Sequence, residues 1–308
     1  MKYLVQFLLV IFFTSSCNNN NEEVVSDPLN LITIGDKTYG VTLNDTYGNT
    51  NCAFVYANMD YAEANGGGFR LNFKLTNKGA IQNIKLTYGK DLIYYESADF
   101  DSSTTFKISD FIYSPERNIV SFDFEGDLFK VNFHEDEIDN MHVSKYIKGK
   151  FSSSNIKDLT CQIVPNNLAF STDKLNFSTV ESLQTVTNRN SASPVFETLL
   201  LSANGVQINF ISDKDLWDKS EDLYNFSVND VQNKVTFKKF IGKPRATQIR
   251  FLRLVDWKNF QTEGTYRITS KTIENGRKVI KGLLNMSVLE NGTLIHNIIN
   301  APFKINAF

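Results

Sequence analysis

The chain is poor in the residues that announce chemistry. Its three histidines, His134, His142 and His296, stand in no nucleophile, zinc-protease or phosphate-loop context, so the sequence offers no recognised catalytic motif. Excess positive charge is missing as well. With 32 Lys and Arg against 34 Asp and Glu, a net charge of −2 and a pI near 6.0, the chain lacks the cation surplus that neutralising phosphates needs, which excludes nucleic acid as the expected partner. No apolar run after the first residues approaches the roughly 20 residues of a membrane-spanning helix. No dozen-residue stretch combines a 3.6 period with caps, which excludes a helical body. Only three cysteines and two tryptophans are present.

What is present begins at the N-terminus. Lys2 precedes an apolar run from Tyr3 to Phe13, which ends in Thr14-Ser15-Ser16-Cys17. The run is too short to span a bilayer and closes on small residues, as a cleaved leader does. A plain secretory leader has no need of a cysteine directly after its small residues. Lipoprotein processing does, because that thiol receives a diacylglycerol before the leader is cut. The pattern resembles the lipobox, with Thr14 where Leu is commoner. It predicts that residues 1–16 are removed and that Cys17 is acylated and anchors the chain to the lipid bilayer. The tract Asn18 to Glu23 has no apolar residue to join a core and reads as a flexible tether. Asn18 rather than Asp follows the cysteine, which favours an outer-membrane address, facing the periplasm or the cell surface.

The body reads as all-β. Its 25 Phe and 12 Tyr, with abundant Val, Ile and Thr, suit pleated, half-buried surfaces. Phe69, Leu71, Phe73 and Leu75 alternate with Arg70, Asn72 and Lys74, which predicts a strand with one buried face. Val206, Ile208 and Phe210 repeat the pattern. So do Val120, Phe122 and Phe124, then Phe129, Val131 and Phe133, with Glu125-Gly126-Asp127 between them read as a tight reversal. Asn204-Gly205, Asn275-Gly276 and Asn291-Gly292 predict hairpin turns.

The chain also echoes itself. Phe111 to Phe122 matches Phe226 to Phe237 at an offset of 115; Ile147-Lys148-Gly149 matches Ile280-Lys281-Gly282, and Phe170 matches Phe303, at 133; Phe69 to Phe73 matches Val206 to Phe210 at 137. Anchors in a common order predict a tandem duplication. The expected organisation is a signal peptide (1–16), the lipidated cysteine and tether (17–35), β module 1 (36–170), a linker or edge segment (171–193) and β module 2 (194–308). Each module is an antiparallel sandwich or small barrel. One large sandwich is the alternative.

Cys52 and Cys161 fall in the first and last predicted strands of module 1. In an oxidising compartment they form a disulfide, closing a loop of roughly 110 residues for up to about 5 kcal/mol, or they are two separate buried thiols. His134-Glu135-Asp136-Glu137 with Asp139, and Asp213-Lys214-Asp215, have ligand types for a hard cation but lack calcium-loop spacing, so they are read as solvated turns and no metal is expected. No cofactor is implied. Trp217 and Trp257 lie among polar neighbours, where an indole either stacks on a sugar ring or caps the end of a core. Tyr94-Tyr95 poses the same choice.

The leader with Cys17, the Asn-rich tether, and the endings Ile147-Lys148-Gly149-Lys150-Phe151 and Ile280-Lys281-Gly282-Leu283-Leu284 together resemble the tandem β-rich lipoproteins of Bacteroidota, a type without an assigned activity. The expectation is a membrane-anchored, non-catalytic envelope or surface lipoprotein that binds a glycan, a peptide or an envelope protein. The alternative is a lipid-anchored hydrolase using paired carboxylates, for example on glycans, which requires acidic residues converging in a cleft.

Overall fold

The computed structural model describes residues 29–51, 53–132, 143–154, 156–159, 164–188, 193–227, 229–230, 233–247 and 256–308. The leader, Cys17, Cys52, the His134 to Asp139 cluster, His142 and Cys161 lie outside the described residues. The described residues form two mainly antiparallel sheets, each around its own core, as the alternating pattern predicts.

The first sheet holds β1 (Leu29–Ile34), β2 (Lys37–Thr42), β3 (Thr46–Asn51), β4 (Phe54–Ala62), β5 (Gly68–Thr76), β6 (Ile81–Tyr88), β7 (Ile93–Glu96), β8 (Phe106–Ser114), β9 (Ile119–Asn132), β10 (Ser144–Ser153) and β11 (Ile156–Leu159). It is a curled half-barrel. Its concave side is filled by Phe73, Phe122, Phe124 and Phe151, whose rings meet at centroid distances of 4.9 to 6.3 Å, a spacing that favours tilted and offset aromatic pairs.

The second sheet holds β12 (Asn167–Thr172), β13 (Leu175–Thr187), β14 (Val195–Ser202), β15 (Val206–Ser212), β16 (Leu223–Phe226), β17 (Asn233–Phe240), β19 (Trp257–Glu274), β20 (Arg277–Glu290) and β21 (Thr293–Asn306), while the two-residue β18 (Ala246–Thr247) crosses to the first sheet. The order β17-β15-β14-β13-β12-β21-β20-β19 returns to β17, so eight strands close a barrel, with β16 added along β19. Closure leaves these strands no unpaired edge. The turns at Asn204-Gly205, Asn275-Gly276 and Asn291-Gly292 join antiparallel neighbours, as expected. At the last two, both Asn and Gly have positive φ, the conformation that a tight hairpin demands.

Several boundaries differ from the sequence reading. The tether does not extend to residue 35, because β1 pairs with β2 and β10 and buries Ile32 and Ile34. The described part of the expected linker or edge segment, residues 171–188, is neither: β13 runs between β12 and β14 inside the ring, with Phe177 in the core. β12 belongs to the barrel as well, so the second body begins before residue 170. The segments matched at offset 115 carry different pairings. β8 and β9 form a hairpin, whereas β16 pairs with β19.

Glu125-Gly126-Asp127 is not a reversal either, since β9 continues through it for 14 residues. Gly126 has φ +148°, and a Cβ there would stand 2.3 Å from the Thr105 carbonyl oxygen. The glycine therefore serves close backbone approach and not a turn. The apparent change of phase has a separate cause. Val120, Phe122, Phe124 and Leu128 enter the first core, while Phe129 and Val131 on the opposite face are buried with Ala98 and Ala246. One strand has both faces covered, the second by the neighbouring barrel.

That seam is specific. β18 pairs in parallel with β9, Asp99 N–H donates to the Arg245 carbonyl (2.9 Å), Ser103 N–H donates to the Ala203 carbonyl (2.9 Å), and the Phe100 ring meets Phe240 (5.2 Å) and Trp257 (5.1 Å).

Candidate functional site

The outward side chains of β3 to β7 stand in register across the half-barrel. Directly opposite partners place Asp60, Arg70, Thr87 and Tyr94 in one row. The next row is Tyr47, Asn58, Asn72, Lys85 and Glu96. The third is Asn49, Tyr56, Lys74 and Asn83. Successive rows are two residues apart on each strand, so the three span about 14 Å along the strands and a similar distance across them. The local reason is period two: each inward Phe69, Leu71, Phe73 and Leu75 of β5 forces Arg70, Asn72 and Lys74 outward.

Charge on this face is organised. Arg70 Nε donates to Asp60 Oδ1 (3.0 Å), and the Tyr47 hydroxyl donates to Asp60 Oδ2 (3.3 Å). Lys85 Nζ lies 3.3 Å from Glu96 Oε1, and Asn83 Nδ2 donates to Glu96 Oε2 (3.1 Å). Lys74 Nζ sits over the rings of Phe54 (4.6 Å) and Tyr56 (5.6 Å), an arrangement that holds an ammonium above aromatic faces. Both carboxylates are thus engaged by cations. Burial raises the hydroxyls of Tyr56 and Tyr47 above the ordinary phenol range, and for Tyr47 the Asp60 charge adds to it, so both remain neutral donors and acceptors.

Other groups are left for a ligand or solvent. Among the described residues the side-chain amides of Asn72 and Gln82 and the Tyr56 hydroxyl have no hydrogen-bond partner in the protein, although all three residues are half-buried. Polar groups in that state take partners from outside.

The face is walled where it meets the second barrel. One hollow of about 590 Å³ lies over Tyr56, Asn58, Asn72, Lys74 and Asn83, with Thr247 as its far wall. It shares Lys74 and Gln82 with a second, of about 420 Å³, closed by Asn166, Asn167, Ser178 and Glu181. At the opposite end, a cup of about 720 Å³ is formed by Asp60, Tyr61, Arg70, Thr87 and Tyr94 around Gly66, Gly67 and Gly68. The cup and the joined hollows lie at opposite ends of one strand face, on which Tyr47, Tyr56 and Tyr94 stand among amides and hydroxyls, and this face is the trough. Pockets between domains with a few convergent polar groups are where ligands bind, and ring faces beside hydrogen-bonding groups match the apolar C–H face and polar rim of a sugar.

The tryptophans singled out in the sequence lie elsewhere. Trp217 is half-buried against the second core, with the ammonium groups of Lys271 (5.8 Å) and Lys278 (5.4 Å) over its ring. Trp257 is part of the seam. Of the tyrosine pair, Tyr95 is buried and Tyr94 is 52% exposed on the trough. Asp215 caps a short turn, accepting from Trp217 N–H (3.0 Å) and Phe308 N–H (2.8 Å), and Asp213 pairs with Lys219 (3.3 Å). Among the described residues no group of three or more His, Cys, Asp or Glu is placed to hold a metal. His296 packs on Phe237 (5.7 Å), and burial, then Lys239 and Lys174, lowers its pKa. The sequence reading missed the trough, although a signal was present: the outward positions of β3 to β7 taken together hold Tyr47, Asn49, Tyr56, Asn58, Asn72, Asn83 and Tyr94.

Comparison with family models, curated proteins and solved structures finds no match to this chain.

Proposed function

We propose that this protein is a lipid-anchored, non-catalytic envelope lipoprotein that binds a glycan chain in the trough on β3 to β7. The observation that carries the reading is the cross-strand array of Tyr47, Tyr56 and Tyr94 with Asn58, Asn72 and Asn83, continued past Lys74 and Gln82 into the hollow closed by the second barrel. Tyrosine faces supply contact area at little entropic cost, and the amides supply paired donors and acceptors. The ion pairs of Asp60 and Glu96 fit a surface that holds a ligand, in preference to one that moves protons. The anchor reading rests on the leader and Cys17, with the polar tract after it as the tether.

Titration of the detergent-solubilised mature protein against a panel of oligosaccharides is the test. Binding by at least one of them, weakened about tenfold or more by Tyr56→Ala, is expected. A flat response across the panel overturns the reading. Mass spectrometry of the same material is expected to find an acylated Cys17 at the N-terminus, and an intact leader removes the anchor.

A further inference from the structure

We infer that the glycan taken by this trough is acidic, a chain bearing carboxylate groups of the uronic acid type. The inference rests on the glycan-binding reading and adds the charge of the ligand to it.

Arg70 is the first ground. Its Nε is held by Asp60 (3.0 Å), which fixes the plane of the guanidinium, while its two terminal amino groups have no partner among the described residues. A guanidinium braced on one side and open on the other presents a fork of donors that matches a carboxylate in two parallel hydrogen bonds. Its neighbour across Thr87 is Tyr94, whose half-exposed ring has no partner among the described residues. Two strand spacings, roughly 10 Å, separate the backbones of Arg70 and Tyr94. A pyranose lying on the Tyr94 ring therefore directs a ring substituent toward the open side of Arg70.

The second ground is the sign of the charge farther along. The two hollows farther along are lined by Lys74, Lys78, Lys85 and Lys304 against Glu96 and Glu181, with Lys85 paired to Glu96 and Lys304 paired to Glu274, which leaves a small positive balance in a chain whose net charge is −2. Lys74 stands four residues beyond Arg70 on the same face of β5, about 13 Å away along the strand. The cations are thus spaced along the trough, which suits a polymer carrying charge at intervals better than a single anion.

The probe pair is an oligogalacturonate and its methyl ester, with an oligoalginate and its ester beside them, titrated into the full mature protein. Each ester keeps the sugar and removes the charge. Acid forms are expected to bind about tenfold or more tightly than their esters. The difference is expected to shrink in high salt and to be lost in Arg70→Gln, while Arg70→Lys retains part of it. Esters or neutral glycans that bind as well as the acids overturn the acidic ligand and leave the glycan reading standing. Equal loss of acid and ester binding in Arg70→Gln assigns the arginine a shape role and also overturns the inference. Binding by no glycan of either kind overturns both readings together.

Discussion

Gly282 of β20 lies directly opposite Phe303 of β21, and the Phe303 ring occupies the space where a side chain at position 282 would begin, with its Cζ 2.2 Å from an ideal Cβ. The half-barrel repeats the device. Gly149 of β10 faces Phe124 of β9, whose Cζ is 2.8 Å from the corresponding point. A phenylalanine laid over a cross-strand glycine shields the bare backbone and lets the sheet bend. This gives the recurring Ile-Lys-Gly motif a physical reason.

Gly282→Ala is therefore expected to cost about 2 to 3 kcal/mol, because the Arg267 carbonyl oxygen also stands 2.2 Å from the new methyl and backbone cannot yield cheaply. Gly276→Ala in the neighbouring turn has open space around it and costs only for its φ of +76°, about 1 kcal/mol. Urea unfolding of the two variants checks the order.

The seam makes a second expectation. Phe100 meets both Phe240 and Trp257, and these last two also meet each other at 5.6 Å. Phe100→Ala and Trp257→Ala should each destabilise by about 2 to 3 kcal/mol. The double variant should cost less than their sum by about 0.5 to 1.5 kcal/mol, since the rings share a contact. Strict additivity would show that the rings act independently.

Asp101 sits beside the seam in the left-handed region, φ 58°, with its Oδ1 buried and without a partner among the described residues. Burial raises its pKa, against the opposing pull of Lys239 and of the Thr104 hydroxyl. An acid with a higher pKa in the folded state favours folding while protonated, and that contribution is lost as pH rises through the folded value. Asp101→Asn is thus expected to raise the melting temperature at neutral pH, with the gain fading as pH falls into the ordinary aspartate range. A gain that grows on acidification would contradict the burial effect.

Glu274 shows the opposite sign. Hydrogen bonds from Lys281 (2.8 Å) and Lys304 (2.6 Å) lower its pKa to about 2. Its contribution is complete above the ordinary glutamate range and is lost as pH falls toward about 2. Carbon-detected NMR titration should find its midpoint well below that of an unpaired glutamate. Lys281→Met combined with Lys304→Met should bring it back.

Legibility was uneven, and the reasons are local. β5 was plain because one face meets the core and the other meets the trough, so period two survives in the sequence. The Asn275-Gly276 and Asn291-Gly292 turns are plain because positive φ at adjacent residues selects those residue types, and at Asn204-Gly205 the positive φ falls on the glycine. β9 was misread as two strands because its end is buried on both faces, which erases the alternation. β13 reads as a linker or an edge segment because Ser, Thr and Gln crowd its sequence, and its two buried residues, Phe177 and Val180, do not report that the strand lies inside a ring.

By itself the sequence determined strand chemistry: which residues of the alternating strands turn inward, that the chain reverses at the three Asn-Gly pairs, and that the N-terminal segment has the form of a lipoprotein leader. Tertiary structure alone decided the closing of the second barrel, the burial of Phe129 and Val131 in the seam, and the trough. Asp60, Arg70, Thr87 and Tyr94 are scattered over 35 positions of the chain and become one row only through strand register. Register is a property of pairing between distant segments, set by turn lengths and the fit of the core, and no single strand encodes it.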